Sequence, residues 1–159
     1  MEINDTNAFM EEAIRLSIEN VTAGNGGPFG AVVVKDGKII ARGANSVTAT
    51  NDPTAHAEVV AIREACKVLN SFQLEGCDIY TSCEPCPMCL GAIYWARPDR
   101  MFFANTKADA ASINFDDQFI YEEIAKPIHE RKLFTQQLLR NQAIAAFELW
   151  KESNKKIEY

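Results

Sequence analysis

The sequence predicts a three-layer α/β/α domain built on a central mixed sheet. Three observations predict it. Apolar residues recur at helical and strand periods in the order helix, hairpin, helix, strand, helix, strand. The dipeptide Asp36-Gly37, a strong signal for a tight hairpin, separates two strand-like runs. A length of 159 residues suits one domain with one substantial core.

Residues 5–21 read as a helix that Asp5 or Thr6 can cap. Phe9, Ala13 and Leu16 form one row on it, and Met10, Ile14 and Ser17 an adjacent one. The stretch Gly24-Asn25-Gly26-Gly27-Pro28-Phe29-Gly30 ends that helix. Its glycines do not fall as G-x-G-x-x-G and it opens a strand, so it reads as a tight turn where backbone comes close to something, not as a phosphate cradle. Residues 29–35 and 38–45 pair around Asp36-Gly37. Asn51-Asp52-Pro53 then opens a helix, with Asp52 as N-cap and Pro53 at the first helical position. This helix is expected to run to about Leu69, with Val59, Ile62, Cys66 and Leu69 on its inner face. Gly76-Cys77 is a turn and residues 78–82 a short strand. Residues 87–96 form a helix stopped by Arg97-Pro98, and residues 100–104 another strand.

Beyond Asn105 the signals weaken. Residues 114–117 read as a loop or cap and residues 117–125 as a short helix ended before Pro127. Residues 141–152 read as a helix with Ile144, Phe147 and Trp150 inward, followed by a polar tail ending in Tyr159. No internal repeat or second domain is visible, so residues 1–159 are expected to form a single domain.

The net charge of −6 removes the basic excess that nucleic-acid binding would favour. The acidic, polar N-terminus has no positively charged region followed by an apolar run, so no signal peptide is read. No apolar run approaches the ~20 residues of a membrane helix. Five cysteines, an odd number with three of them clustered, fit a reducing compartment and a metal better than a disulfide frame.

The chemistry lies in Pro53-Thr54-Ala55-His56-Ala57-Glu58 and in Thr81-Ser82-Cys83-Glu84-Pro85-Cys86-Pro87-Met88-Cys89. Zinc takes imidazole nitrogen and thiolate sulfur, and a catalytic zinc keeps three protein ligands and one open position. His56, Cys86 and Cys89 supply three ligands, and Glu58 is the natural proton carrier. On a helix His56 and Glu58 stand about 200° apart, so they converge only on something beyond the helix end. Cys86 and Cys89 share a face at a helix N-terminus, which also favours thiolate. Three other readings stay open: core thiols beside a buried histidine, a redox C-x-x-C, and Cys83 as a fourth ligand closing a structural site. Cys66 and Cys77 read as core or turn residues, and His129 as solvated. Asp116 and Asp117 read as helix caps.

The spacing H-x-E followed by P-C-x-x-C is a known signature of zinc nucleobase deaminases, and the chain resembles the cytidine deaminase-like zinc hydrolases. Within them it is similar to the bacterial guanine deaminases along nearly its whole length. That narrower likeness rests on residues 26–31, 51–58 and 90–98, on Phe115-Asp116-Asp117 and on the terminal Lys155-Lys156-Ile157-Glu158-Tyr159. The resemblance implies a cytoplasmic purine-salvage hydrolase that uses Zn2+ to convert guanine to xanthine and ammonia, with Glu58 shuttling protons. It implies that Asp117 holds the amino group or a ring N–H and shares the relay. It implies that Asn45 reads the purine edge and that Phe29, Trp95 and Tyr159 pack on the base. It also implies a homodimer that exchanges a C-terminal segment, residues 141–159, so that the last tyrosine closes the partner's pocket. The alternatives are another substrate on the same fold (adenosine in tRNA, guanosine, cytosine or ammeline) or a non-catalytic zinc module.

Overall fold

The structure, a computed structural model, describes residues 3–159, with side chains from Thr6 onward. Met1, Glu2 and the capping side chain proposed for Asp5 lie outside that description. The chain divides into two compact units, one ending at Asp117 and one comprising Gln118–Tyr159.

The first unit carries a four-stranded sheet in the order β2-β1-β3-β4. Its strands are β1 (Gly30–Lys35), β2 (Lys38–Ala44), β3 (Cys77–Cys83) and β4 (Arg100–Asn105). β1 is antiparallel to both β2 and β3, whereas β3 and β4 are parallel, so the sheet is mixed. Asp36 and Gly37 both adopt positive φ, 50° and 72°, as the predicted two-residue hairpin turn requires. The register slips once, between Val33 and Val34. Central strand β3 is buried at every position.

One sheet face packs on α1 (Ile3–Thr22). There Val32, Val34 and Tyr80 meet Phe9, Met10 and Leu16, and the Tyr80 ring stacks on Phe102. Because α1 starts at Ile3, Thr6 falls within its first turn. The other face packs on α3 (Ala57–Leu69) and α4 (Pro87–Ala96) around Ala31, Val33, Ile79, Leu74 and Ile93. The three layers are therefore α1, the sheet, and α3 with α4.

Two expectations on this side change. The helix predicted from Asp52 begins only at Ala57, and a short helix α2 (Val47–Thr50) precedes it. Asp52 caps a turn instead: its Oδ1 accepts from the Thr54 N–H at 2.8 Å and the Thr54 hydroxyl at 2.6 Å. The Asp-Pro pair looked like a cap and first helical residue, but the local side-chain bond to Thr54 wins. The buried row of α3 is Ala57, Glu58, Ala61 and Ala65, while Ile62, Cys66 and Leu69 pack at its margin. Gly43 explains the small row. A Cβ there would lie 2.2 Å from the Ala57 carbonyl oxygen and 2.6 Å from the Ala61 nitrogen. Helix and strand backbones touch, and only small residues fit between them.

α4 matches its predicted bounds and ends at Arg97, which takes the left-handed conformation (φ 55°) before Pro98. A short helix not read from the sequence, α5 (Lys107–Ser112), follows β4 under a capping box of Thr106 and Asp109.

The second unit contains α6 (Gln118–Ala125), a 3-10 turn at Ile128–Glu130 and α7 (Arg140–Glu152). Of the α7 side chains expected inward, Ile144 is half-buried, but Phe147 and Trp150 are exposed. The period of α7 marked an apolar stripe correctly, but a stripe alone does not say what covers it. His129 is solvated, as expected, beside Glu130 at 3.5 Å.

Candidate metal centre and active site

Two helices begin at the ligand residues. His56 is the N-cap of α3, in extended backbone, and its carbonyl accepts the first helical bond from the Val60 N–H at 2.9 Å. Cys86 is the N-cap of α4, with Pro87 at the first helical position. Its sulfur accepts from the Cys89 N–H at 3.5 Å, so the thiolate lies against the positive end of the helix. β3 delivers Cys86 from the most buried part of the sheet.

His56, Cys86 and Cys89 converge, with ligand atoms all within 4.8 Å of one another. The His56 Nδ1 lies 3.6 Å from the Cys86 sulfur and 3.5 Å from the Cys89 sulfur. A tetrahedral ion at ~2.0 Å from nitrogen and ~2.3 Å from sulfur sets that separation at ~3.5 Å. The donor set and its spacing therefore fit zinc. The hydrogen bond from Cys89 lowers the Cys86 thiol to about 4, while Cys89 is pushed up as holder of the shared proton. The hydrogen bond to Cys86 raises His56. Cys83 stands outside the cluster: its thiol meets the Thr106 carbonyl at 3.6 Å, and burial pushes it up to about 11. That leaves three protein ligands among the described residues, the number a catalytic zinc requires.

Glu58 comes from the first turn of α3 and is buried. Because α3 starts late, His56 is a cap and Glu58 a first-turn residue. Both can thus reach past the helix end, as their spacing demands. Burial raises the Glu58 carboxyl, favouring its protonated form. The Thr81 hydroxyl lies 3.2 Å from its Oε1 and 2.9 Å from the Cys83 carbonyl. Thr81 opens the ligand-bearing stretch in the sequence, but nothing in its residue type assigned it a role there; its contact with Glu58 does.

Asn45, buried at the end of β2, accepts a bond from the Val47 N–H at 3.4 Å through its side-chain oxygen. Phe29, just before β1, meets Phe115 edge to face with ring centroids 5.0 Å apart. Phe115 adds an aromatic wall that sequence reasoning noted only as part of a motif. Burial raises Asp117, and the Cys86 charge adds to that shift. Trp95 is exposed on α4, six residues beyond Cys89 and about 240° round the helix from it. Tyr159 is exposed in the second unit.

The family described as the cytidine and deoxycytidylate deaminase zinc-binding region matches residues 3–105, and the chain belongs to it. Guanine deaminase of Bacillus subtilis is 58% identical over 151 residues, covering 95% of this chain and 97% of that protein. The crystal structure of guanine deaminase from Bacillus subtilis superposes with a TM-score of 0.95 at 55% identity, covering 100% of this chain and 99% of that one. A tRNA-specific adenosine deaminase of Aquifex aeolicus is 49% identical, but over 48% of this chain and 51% of its own length.

Proposed function

We propose that this chain is a zinc-dependent aminohydrolase that converts guanine to xanthine and ammonia. The observation that carries the chemistry is the meeting of His56, Cys86 and Cys89 at zinc spacing beside the buried Glu58. The substrate follows from likeness along almost the whole chain to a guanine deaminase, against likeness along half of it to a tRNA deaminase.

His56, Cys86 and Cys89 would hold the zinc. A zinc held there would supply Lewis-acid activation of water, and so a nucleophile at neutral pH. Glu58 does the proton work. It takes the water proton and delivers it to N3 of guanine, which makes C2 electrophilic. Burial raises the carboxyl, which favours the protonated form that hands a proton on. Attack at C2 gives a tetrahedral carbon. Glu58 then takes the proton of the new C2 hydroxyl and passes it to the amine; C2=O forms as the C–N bond breaks and ammonia leaves. The Thr81 hydroxyl, 3.2 Å from the Glu58 Oε1, helps to orient the carboxyl. Asp117 holds the departing amino group or the ring N–H. Asn45 reads the purine edge with its amide, and Phe29 packs on the base, backed by Phe115.

The same reading makes the protein a cytoplasmic homodimer in which residues 141–159 cross to the partner and Tyr159 closes its pocket, while Trp95 packs on the base. Large exposed apolar side chains in the second unit support this, among them Leu133, Phe134, Phe147 and Leu149. No described helix is long and apolar enough to cross a membrane.

Ammonia release from a panel of guanine, guanosine, cytosine, ammeline and adenosine in tRNA, with metal analysis on the same sample, tests the proposal. Guanine is expected to be the preferred substrate, with one zinc per chain. Turnover of tRNA or guanosine without guanine would keep the reaction class and overturn the substrate.

A further inference from the structure

Asn20 has no part in the chemistry above, yet it is buried near the end of α1 with only 6% of its surface exposed. Its side-chain NH2 makes two hydrogen bonds, to the Gly27 carbonyl at 2.8 Å and to the Asn45 carbonyl at 2.9 Å. Both hydrogens of one amide are thus spent on two separate chain segments. One is the glycine-rich turn that ends in Phe29. The other is the exit of β2 that carries Asn45.

Among the described residues, few backbone bonds join those segments directly. The β1–β2 ladder ends at the pair Gly30 and Ala44. Beyond it the Asn45 N–H donates to the Phe29 carbonyl at 3.1 Å, and the ladder stops. Gly26 then lies directly on Asn45: a Cβ there would sit 2.4 Å from the Asn45 carbonyl oxygen and 3.1 Å from the Asn20 Nδ2. The glycine turn therefore closes over Asn45, with the Asn20 amide as the tie.

We infer that Asn20 is a positioning residue for base recognition, setting the spacing between the Phe29 ring and the Asn45 amide. This rests on the proposed roles of Phe29 and Asn45 towards the base. The proton machinery hangs from other elements, since His56 and Glu58 are on α3 and Cys86 and Cys89 on α4. Loosening the tie should therefore weaken substrate capture and spare the chemical step and the metal.

Asn20→Asp is nearly isosteric but turns the donor into an acceptor facing two carbonyls. It should raise KM for guanine by about tenfold or more, the loss of one or two buried hydrogen bonds. It should leave kcat within about threefold and zinc content unchanged. Ser17→Ala, on the same helix and equally buried but bonded only to the Ile14 carbonyl at 2.7 Å, is the control and should leave both constants unchanged. Should Asn20→Asp fail to fold, Asn20→Ser, which keeps one hydroxyl donor, is scored in the same way. Amide hydrogen exchange supplies a readout that needs no turnover: peptides covering residues 23–30 and 44–47 should exchange faster in the variant, and those of α3 and α4 should not. If wild type releases no ammonia from guanine, the function proposal fails, and Asn20 is judged on the exchange pattern alone. A fall in kcat at constant KM, loss of zinc, or unchanged exchange at both segments overturns the inference.

Discussion

Replacing Glu58 with Gln keeps the shape of a buried side chain and removes its ability to exchange a proton. Glu58→Gln should retain stoichiometric zinc and the fold, and lose turnover by ~100-fold to ~10,000-fold. Turnover near the wild-type rate, measured by ammonia release with metal analysis, would remove Glu58 from the mechanism. The ligand residues were legible in the sequence because their chemistry is confined to few residue types at fixed spacing. His56, Cys86 and Cys89 meet as the spacing required. Thr81, Phe115 and Asn20 were not legible as partners of the site. A threonine, a phenylalanine and an asparagine occur everywhere for ordinary reasons, and only three-dimensional contact sets these apart.

At the scale of elements, the hairpin and α4 could be read almost to the residue, because Asp36-Gly37 and Arg97-Pro98 are local signals acting on local backbone. The start of α3 could not, because the Asp52 side chain has two local uses and the sequence does not rank them. Nor could its alanine row, which answers to the backbone of a distant strand. Gly43→Ala forces a methyl group to 2.2 Å from the Ala57 carbonyl oxygen. It should cost about 1–3 kcal/mol or more in urea unfolding, as overpacking does; an unchanged midpoint would show that α3 can retreat freely. A second test concerns how α1 is tied to β2. Hydrogen bonds from Arg15 and Arg42 hold the Glu12 carboxyl down to about 2 from 4.5. A carboxyl depressed on folding contributes stability above its unfolded value, and that contribution disappears as pH falls through the folded one. Glu12→Gln should therefore be less stable than wild type at pH 7. The gap should narrow as pH falls from about 4.5 towards about 2, and a gap of constant size would contradict the linkage.

At the scale of the whole molecule, the layer order followed from the element order, since a helix on each side of a sheet leaves few arrangements. The partner of the exposed stripe on α7 did not, because a stripe records that something covers it and not what. The proposed exchange of residues 141–159 makes a prediction by complementation. A chain lacking residues 153–159 keeps Glu58 but has no tail to give. The Glu58→Gln chain has a tail but no proton carrier. Each alone should be nearly inactive. Refolded together, mixed dimers should regain activity at the one site with Glu58 and a borrowed tail. Persistent inactivity of the mixture, with native mass spectrometry confirming mixed dimers, would place the tail over its own pocket.

The contact between Gly43 and the α3 backbone also limits which variants can survive. His56 and Glu58 ride on the very turn that Gly43 touches, so any enlargement at position 43, 57 or 61 shifts ligand and acid together. Under selection for guanine as a nitrogen source, a library randomised at these three positions should come back almost invariant. Positions 67 and 68, on the outer side of the same helix, should drift freely.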